Sequence, residues 1–496
     1  MSGTERKGVD MTTGAIAPKV VRLAWPLVLG NLLQTFYNLA DMFWVGRVSP
    51  EAVAAVSLMF PLSWMFVSTA MGITAATTAL VSQNVGADDR RRADLVVAQT
   101  VVLTVAVAAA LAALGWAFRR ELLALIGAEG QVFVESLAYI EVIFLALPLT
   151  FLFFAFRAAL QGAGDTKTAM WLMVLSAGLN VVLDPFLILG WGPVPAMGTR
   201  GAAWATFVAR AFATGAGVYF LLRGDYGVRL HVGDLRPDPG VLRKLVDIGY
   251  PATLDGWARS FAAVVMAAFV APFGTAAIAA YGIGVRLMSV SWSVAGAVSQ
   301  AAATGVGQNL GAETPDRAAS VTWTAAGGTM GILFAAAALC VLFPEFAMGI
   351  FVDDPEVIAE GVVFLYVIAP FWAFFGGTMV IQGAFRGAGQ TTVAMALSLL
   401  SRWVFRVPIA VVLAFSTLSL PGTDYALEGI GLGVAGIWAA FSVGAFLSFL
   451  VAAFWFRLGR WTEGVVESDR PSVGGPPPEA DADPEREADP DVDADD

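Results

Sequence analysis

The sequence predicts an all-α membrane protein of twelve transmembrane helices, arranged as two pseudo-symmetric six-helix lobes by a parallel internal repeat. Two observations predict it. Of 496 residues, 57% are hydrophobic and only 14% charged, against about a quarter charged in an ordinary soluble domain. Sliding the chain along itself by 225 positions lays Trp25-Pro26 on Tyr250-Pro251, QNVGA from Gln83 on QNLGA from Gln308, and GAG from Gly162 on GAG from Gly387. One shared offset for three landmarks means two homologous halves with few net insertions.

The elements follow in order. Apolar stretches of about 20 residues or more, enough to cross a hydrocarbon core of roughly 30 Å, recur at 20–44, 52–80, 95–117, 132–156, 168–190 and 200–222. They recur again at 246–272, 277–305, 320–343, 358–381, 391–415 and 430–456. This divides the chain into an N-terminal segment (1–19), a first lobe (20–222), a charged linker (223–245), a second lobe (246–456) and a tail (457–496). Six spans return the chain to its starting side, so the repeats are parallel and related by an axis along the membrane normal. Nineteen Arg and Lys, among them Arg91, Arg157, Arg243 and Arg386, are assigned to the side of the termini. Only Arg47, Arg119, Arg120 and Arg200 fall on the other. That bias predicts a multi-pass protein of the cell membrane with both termini cytoplasmic. From Pro471 onward the tail has ten acidic residues against the single Arg486; it cannot bury a core and is predicted to be disordered.

Several function classes lose support. Cys340 is the only cysteine and His231 the only histidine, so neither an intramolecular disulfide nor a cysteine- or histidine-based metal cluster can be built. His231 reads as a bystander in the linker. A GxGxxG at Gly431, Gly433 and Gly436 opens an apolar span, without the strand that a dinucleotide site requires; small residues at this spacing let membrane helices approach closely. With no phosphate loop or nucleophile elbow, the chain reads as a non-enzyme without cofactor, and nothing points to a nucleic-acid partner.

The candidate chemistry is polar and intramembrane. In span 1, Asn31, Gln34, Asn38 and Asp41 recur at spacings that place them on one helix face. In span 5, Ser176, Asn180 and Asp184 form a second such face. At about 1.5 Å per residue, Asp41 and Asp184 both fall in the outer half of the membrane, at similar depth. A carboxylate in hydrocarbon is costly unless paired, hydrated or protonated, which makes two close ones a natural H⁺ or cation site. The bland alternatives are a helix cap for Asp41 and acceptance of hydrogen bonds freed by Pro185 for Asp184. The offset pairs these acids with Met266 and Ile409, so the second lobe lacks them. Its interior is expected to be cationic instead, through Arg286, Arg402 and Arg406, with Asp255 and Arg259 paired at i and i+4. The QN and GAG elements read as turns, helix ends and closure elements.

On LADMFWVG around Asp41, NVVLDPFLI from Asn180, QGAGDTKT from Gln161, Trp25-Pro26 and the paired QNVGA and QNLGA, the chain resembles the multidrug and toxic compound extrusion (MATE) transporters. The likeness is to their DNA-damage-inducible archaeal and bacterial branch, across about residues 15–460. The resemblance implies secondary active efflux of lipophilic, often cationic compounds by alternating access, in exchange for H⁺ or Na⁺. It implies that Asp41, Asn180 and Asp184 take up the coupling ion, with Thr206 as a further polar member, and that the helix bearing Pro26 bends between states. Gln34, Asn38, Arg402 and Arg406 are the candidates for the substrate cavity. Partners are expected to be small-molecule drugs or amphiphiles and membrane lipids, and the working unit a monomer. The reading leans to protons. A flippase of a lipid-linked or anionic amphiphile remains the alternative, and a channel would need a continuous polar pore that this chain does not show.

Overall fold

A computed structural model of the chain describes residues 8–224, 226–419 and 426–462; the acidic tail beyond them lies outside the described residues. Among the described residues, twelve helices are long and apolar enough to cross a membrane. Spans 1–6 are Ile16–Val45, Pro50–Gly86, Arg90–Ala117, Gly130–Gly162, Thr166–Leu189 and Thr199–Arg223. Spans 7–12 are Pro239–Phe273, Thr275–Gly311, Pro315–Leu342, Pro355–Gly387, Thr391–Ala414 and Val434–Arg457. The chain is therefore a multi-pass membrane protein.

Helices overrun the hydropathic stretches wherever a cap sets the end. Asp238 accepts hydrogen bonds from the N–H groups of Gly240 and Val241 with Pro239 at the first helical position, so span 7 begins ahead of the expected 246. Likewise Asp89 caps span 3 at Arg92 and Asp165 caps span 5 at Thr168. Hydropathy reports depth in hydrocarbon, whereas capping reports where the helix starts. Two short helices, Arg119–Leu125 and Pro344–Gly349, begin at positions separated by the same repeat offset and follow spans 3 and 9. A small antiparallel pairing of Thr417–Ser419 with Ala426–Glu428 precedes span 12. Span 10 tightens into a 3₁₀ turn at Ala369–Phe371, and span 11 widens into a π-helical stretch at Leu400–Arg406. Gly436 is a packing glycine, since a Cβ there would lie 2.6 Å from the Leu413 carbonyl oxygen.

The linker is tied down. His231, a bystander to the candidate chemistry, has a structural contact, its Nε2 lying 3.1 Å from Asp94 Oδ2, while the Gln99 amide donates to the carbonyls of Asp234 and Arg236, each at 2.7 Å. Arg91 pairs with Asp234, and that guanidinium holds the Asp234 carboxyl below its ordinary range.

The lobes meet pseudo-symmetrically, span 1 against span 8 and span 2 against span 7. Leu23, Ala24 and Leu27 pack on Ala297, Ala301 and Ala302. The two QN motifs touch backbone to backbone, because a Cβ at Gly86 would sit 1.9 Å from the Gln308 carbonyl oxygen and one at Gly311 1.8 Å from that of Gln83. Gln83 Nε2 donates to the Gly387 carbonyl at 3.0 Å, which joins the QN element of one lobe to the GAG element of the other. A strap from the N-terminal segment crosses this seam. Val9 N–H donates to the Gly164 carbonyl (3.0 Å), Met11 N–H to Gln308 Oε1 (2.9 Å), and Arg317 Nε to the Met11 carbonyl (2.9 Å). Farther across the membrane the seam reaches Asn31 Nδ2 to the Ser293 carbonyl (3.3 Å) and Trp257 Nε1 to the Met65 carbonyl (3.3 Å), near the middle of their spans.

Candidate functional site

Within the first lobe, spans 1, 4, 5 and 6 converge on a polar pocket. Asp184 is 0% and Asn180 1% exposed, one helical turn apart on span 5. Oriented to satisfy both neighbours, the Asn180 amide nitrogen donates to Asp184 Oδ2 at 3.2 Å and its oxygen accepts from the Thr206 N–H at 3.1 Å. The Thr206 hydroxyl lies 3.2 Å from the Tyr37 hydroxyl. Asp41, from span 1, is close enough to Asp184 for their charges to interact, and Tyr37 and Tyr139 lie within electrostatic reach of both acids. Among the described residues neither carboxylate has a cationic partner, and Oδ1 of each is buried without a hydrogen bond. The four residues expected at the ion site thus lie together.

Toward the termini the pocket continues as a cationic layer. Arg210 NH2 donates to Gln34 Oε1 at 3.4 Å, and Gln34 Nε2 donates to Asn38 Oδ1 at 3.0 Å. Arg210 also rests its guanidinium 4.2 Å above the Phe153 ring. Arg157 NH2 donates to Asn31 Oδ1 at 3.5 Å. Counting Arg157 as a loop cation on its sequence position is corrected: it is 9% exposed inside span 4. Tyr37, Tyr139 and Arg210 were missed as well, although an arginine inside an apolar span, as Arg210 is, is costly enough to mark a functional interior. Pro26 is buried within span 1, which is one continuous helix here.

The second lobe differs. Asp255, 3% exposed, accepts from Arg259 at 2.6 Å and faces Arg386 at 3.6 Å, so the expected i, i+4 pair is present and Arg386 is not a loop residue. Arg402 lines a pocket with Arg259, Gln382 and Ser401. Arg406 instead lies 4.2 Å over the Phe441 ring. Arg286 is exposed, which corrects its assignment to the buried set; its helix turns that face away from the lobe core.

Comparison with known proteins bears on all of this. A family model described as MatE matches residues 26–186 and 251–412, two segments whose starts are separated by the repeat offset. The chain is 30% identical over 435 residues to the probable multidrug resistance protein YoeA of Bacillus subtilis, covering 85% of this chain and 90% of that one. It is 30% identical over 308 residues to a protein of Shewanella oneidensis named FAD transporter, covering 62% and 68%. A solved structure described as MATE in the bent conformation superposes with a TM-score of 0.83 at 24% identity, over 91% of this chain and 97% of that one; this likeness speaks to the fold.

Proposed function

The chain belongs to the MatE family of membrane transporters, and from that premise we propose that it is a secondary active multidrug exporter driven by H⁺ or Na⁺ at the first-lobe acids. Support comes from the relatives named for multidrug resistance, among them YoeA and NorM of Thermotoga maritima. One observation carries the ion assignment: Asp41 and Asp184 are close and, among the described residues, neither has a cationic partner, whereas Asp255 is clamped by arginine. A carboxylate without a cation partner in an apolar surround must acquire a proton or a metal cation. The Asn180 and Thr206 groups hold Asp184 in place and supply neutral ligands to either. Reciprocal linkage then couples drug release to ion uptake.

With the termini in the cytoplasm, as the arginine and lysine distribution supports, the closed seam of QN motifs and N-terminal strap seals the cytoplasmic face. The pocket is then poised in an outward-directed state of alternating access, with the chain working as a monomer. Protons are the ion we favour, because a proton is taken up on a single carboxylate oxygen and requires no further ligands.

The test is efflux of a fluorescent cationic dye from everted vesicles, with pH and Na⁺ gradients imposed separately. Export that follows the pH gradient alone in the wild-type protein, and disappears in Asp41→Asn, is the expected outcome. Unchanged gradient dependence in the double Asp41→Asn, Asp184→Asn protein would place coupling elsewhere.

A further inference from the structure

The second-lobe pocket occupies the same place in its lobe as the acid pocket does in the first. Ser401 stands at the repeat position of Ser176, Arg402 at that of Ala177, and Arg259 at that of Gln34; Ser176 and Ala177 line the first pocket, and Arg259, Ser401 and Arg402 the second. The charge balance is different. In the first lobe two acids, Asp41 and Asp184, stand against two buried arginines, Arg157 and Arg210. In the second, Asp255 alone stands against Arg259, Arg386 and Arg402. Asp255 takes Arg259 at 2.6 Å and Arg386 at 3.6 Å, and the Ser398 hydroxyl links it to Arg402, with hydrogen bonds to both.

Three guanidiniums around one carboxylate leave two positive charges uncompensated among the described residues, and arginine does not shed its proton in proteins. Such a surplus inside a membrane is expensive unless a counter-charge arrives. The carboxylate does not line the pocket; Arg259 and Arg402 do, with the neutral donors Thr378, Gln382 and Ser401, and with Phe375 on an apolar wall. The buried Arg259 Nε has no partner. The π-helical stretch at Leu400–Arg406 adds a residue to the turn that carries Ser401 and Arg402, a local distortion common at functional sites.

We propose that this pocket binds the anionic group, a phosphate or carboxylate, of an amphiphilic molecule, between the guanidiniums of Arg259 and Arg402. The guanidinium fork matches both anions in two-point hydrogen bonding, and Phe375 receives the apolar body. The inference rests on the exporter reading for the claim that the amphiphile is cargo. A membrane lipid headgroup offers the same chemistry, and the experiment separates the two.

Full-length protein in dodecyl maltoside is titrated calorimetrically with dodecyl phosphate and, for comparison, dodecyltrimethylammonium. Arg402→Gln should weaken dodecyl phosphate binding about tenfold and leave the ammonium amphiphile unaffected. Asp255→Asn, which removes the competing carboxylate, should tighten the phosphate. If Arg402→Gln does not fold, Arg402→Lys carries the test: it keeps the charge and loses the fork, so binding should still weaken measurably. Unchanged phosphate affinity in folded Arg402 and Asp255 variants, or equal affinity for the two amphiphiles, would overturn the site. Accumulation of radiolabelled dodecyl phosphate in proteoliposomes of phosphatidylcholine alone identifies cargo. Binding without accumulation, displaced by phosphatidylglycerol in nanodiscs, identifies a lipid headgroup; either keeps the anion site. A failed phosphate titration with intact gradient-driven dye efflux retires this site and spares the exporter reading. The reverse pattern retires the coupling assignment and spares the site.

Discussion

Asp184 in the first lobe and Asp255 in the second are both almost fully buried, yet their surroundings are opposite. Each leaves Oδ1 unpaired, but Oδ2 of Asp184 meets only an amide, while Oδ2 of Asp255 is gripped by two arginines. A buried carboxylate with fixed cationic partners is held charged and cannot be a switch, while one facing only neutral dipoles can exchange its charge state with each cycle. Duplication therefore supplied two cavities at equivalent places in their lobes, and side-chain identity at a handful of positions gave them different chemistry.

The largest test of that contrast is mutational. Asp184→Asn is expected to lower gradient-driven dye export about 100-fold, with folding stability in detergent unchanged or raised. Asp255→Asn should retain gradient dependence but cost about 3 kcal/mol of stability, since it strands buried arginines. Vesicle efflux and denaturant unfolding of both proteins decide the matter, and loss of gradient dependence in Asp255→Asn would erase the difference between the lobes.

The seam sharpens the comparison from the other side, because there the repeats are chemically alike. Gly86→Val and Gly311→Val each insert a side chain where a Cβ already collides with a backbone carbonyl. Both should disfavour closure of this end and slow transport about tenfold, to a similar degree. Cysteine cross-linking across the seam, with transport measured alongside, reads both effects. A strongly unequal pair would mean that the closure is not symmetric.

Prolines form the third comparison. Pro26 and Pro251 are equivalent, buried and internal to spans 1 and 7. Pro26→Ala restores a helical hydrogen bond in the span that carries Asp41, and should slow turnover about threefold with little change in drug affinity. Pro251→Ala, in the span whose acid is clamped, should have a smaller effect. Turnover and equilibrium dye binding, measured on the same preparations, test the pair.

The smallest effect is expected at the strap. Burial pushes the Asp10 carboxyl up, but hydrogen bonds from Thr12 and Thr13 and the charge of Lys19 together hold it below its ordinary 3.8. A depressed carboxyl stabilises above its unfolded pKa and loses that contribution only as pH falls through the folded value. The mobility of a nitroxide spin label attached at Ala15→Cys, an exposed position that leaves the Asp10 hydrogen bonds intact, should therefore stay constant between about pH 5 and pH 8, while coupled transport through the first lobe does not. A label more mobile at pH 5 would assign the strap a share of the pH response.

The sequence by itself determined the spans, the repeat and the acid face. Each is a periodic or repeated property: twenty apolar residues must cross, a shared offset must superpose, and a spacing of three and four must share a helix face. Asp41, Asn180 and Asp184 were legible for that reason, and so was the pairing of Asp255 with Arg259, which is local to one helix. Arg157 and Arg386 were not. They stand near the ends of spans, where an arginine can equally reach water or turn inward, and only the tertiary contacts of Arg157 with Asn31 and of Arg386 with Asp255 place them inside. Arg286 erred in the opposite direction, since its helix turns that face outward. The strap across the QN motifs and the joining of Tyr37 to Thr206 depend on contacts between residues more than a hundred positions apart. No local pattern encodes such contacts; they exist because two lobes of fixed shape meet along one seam.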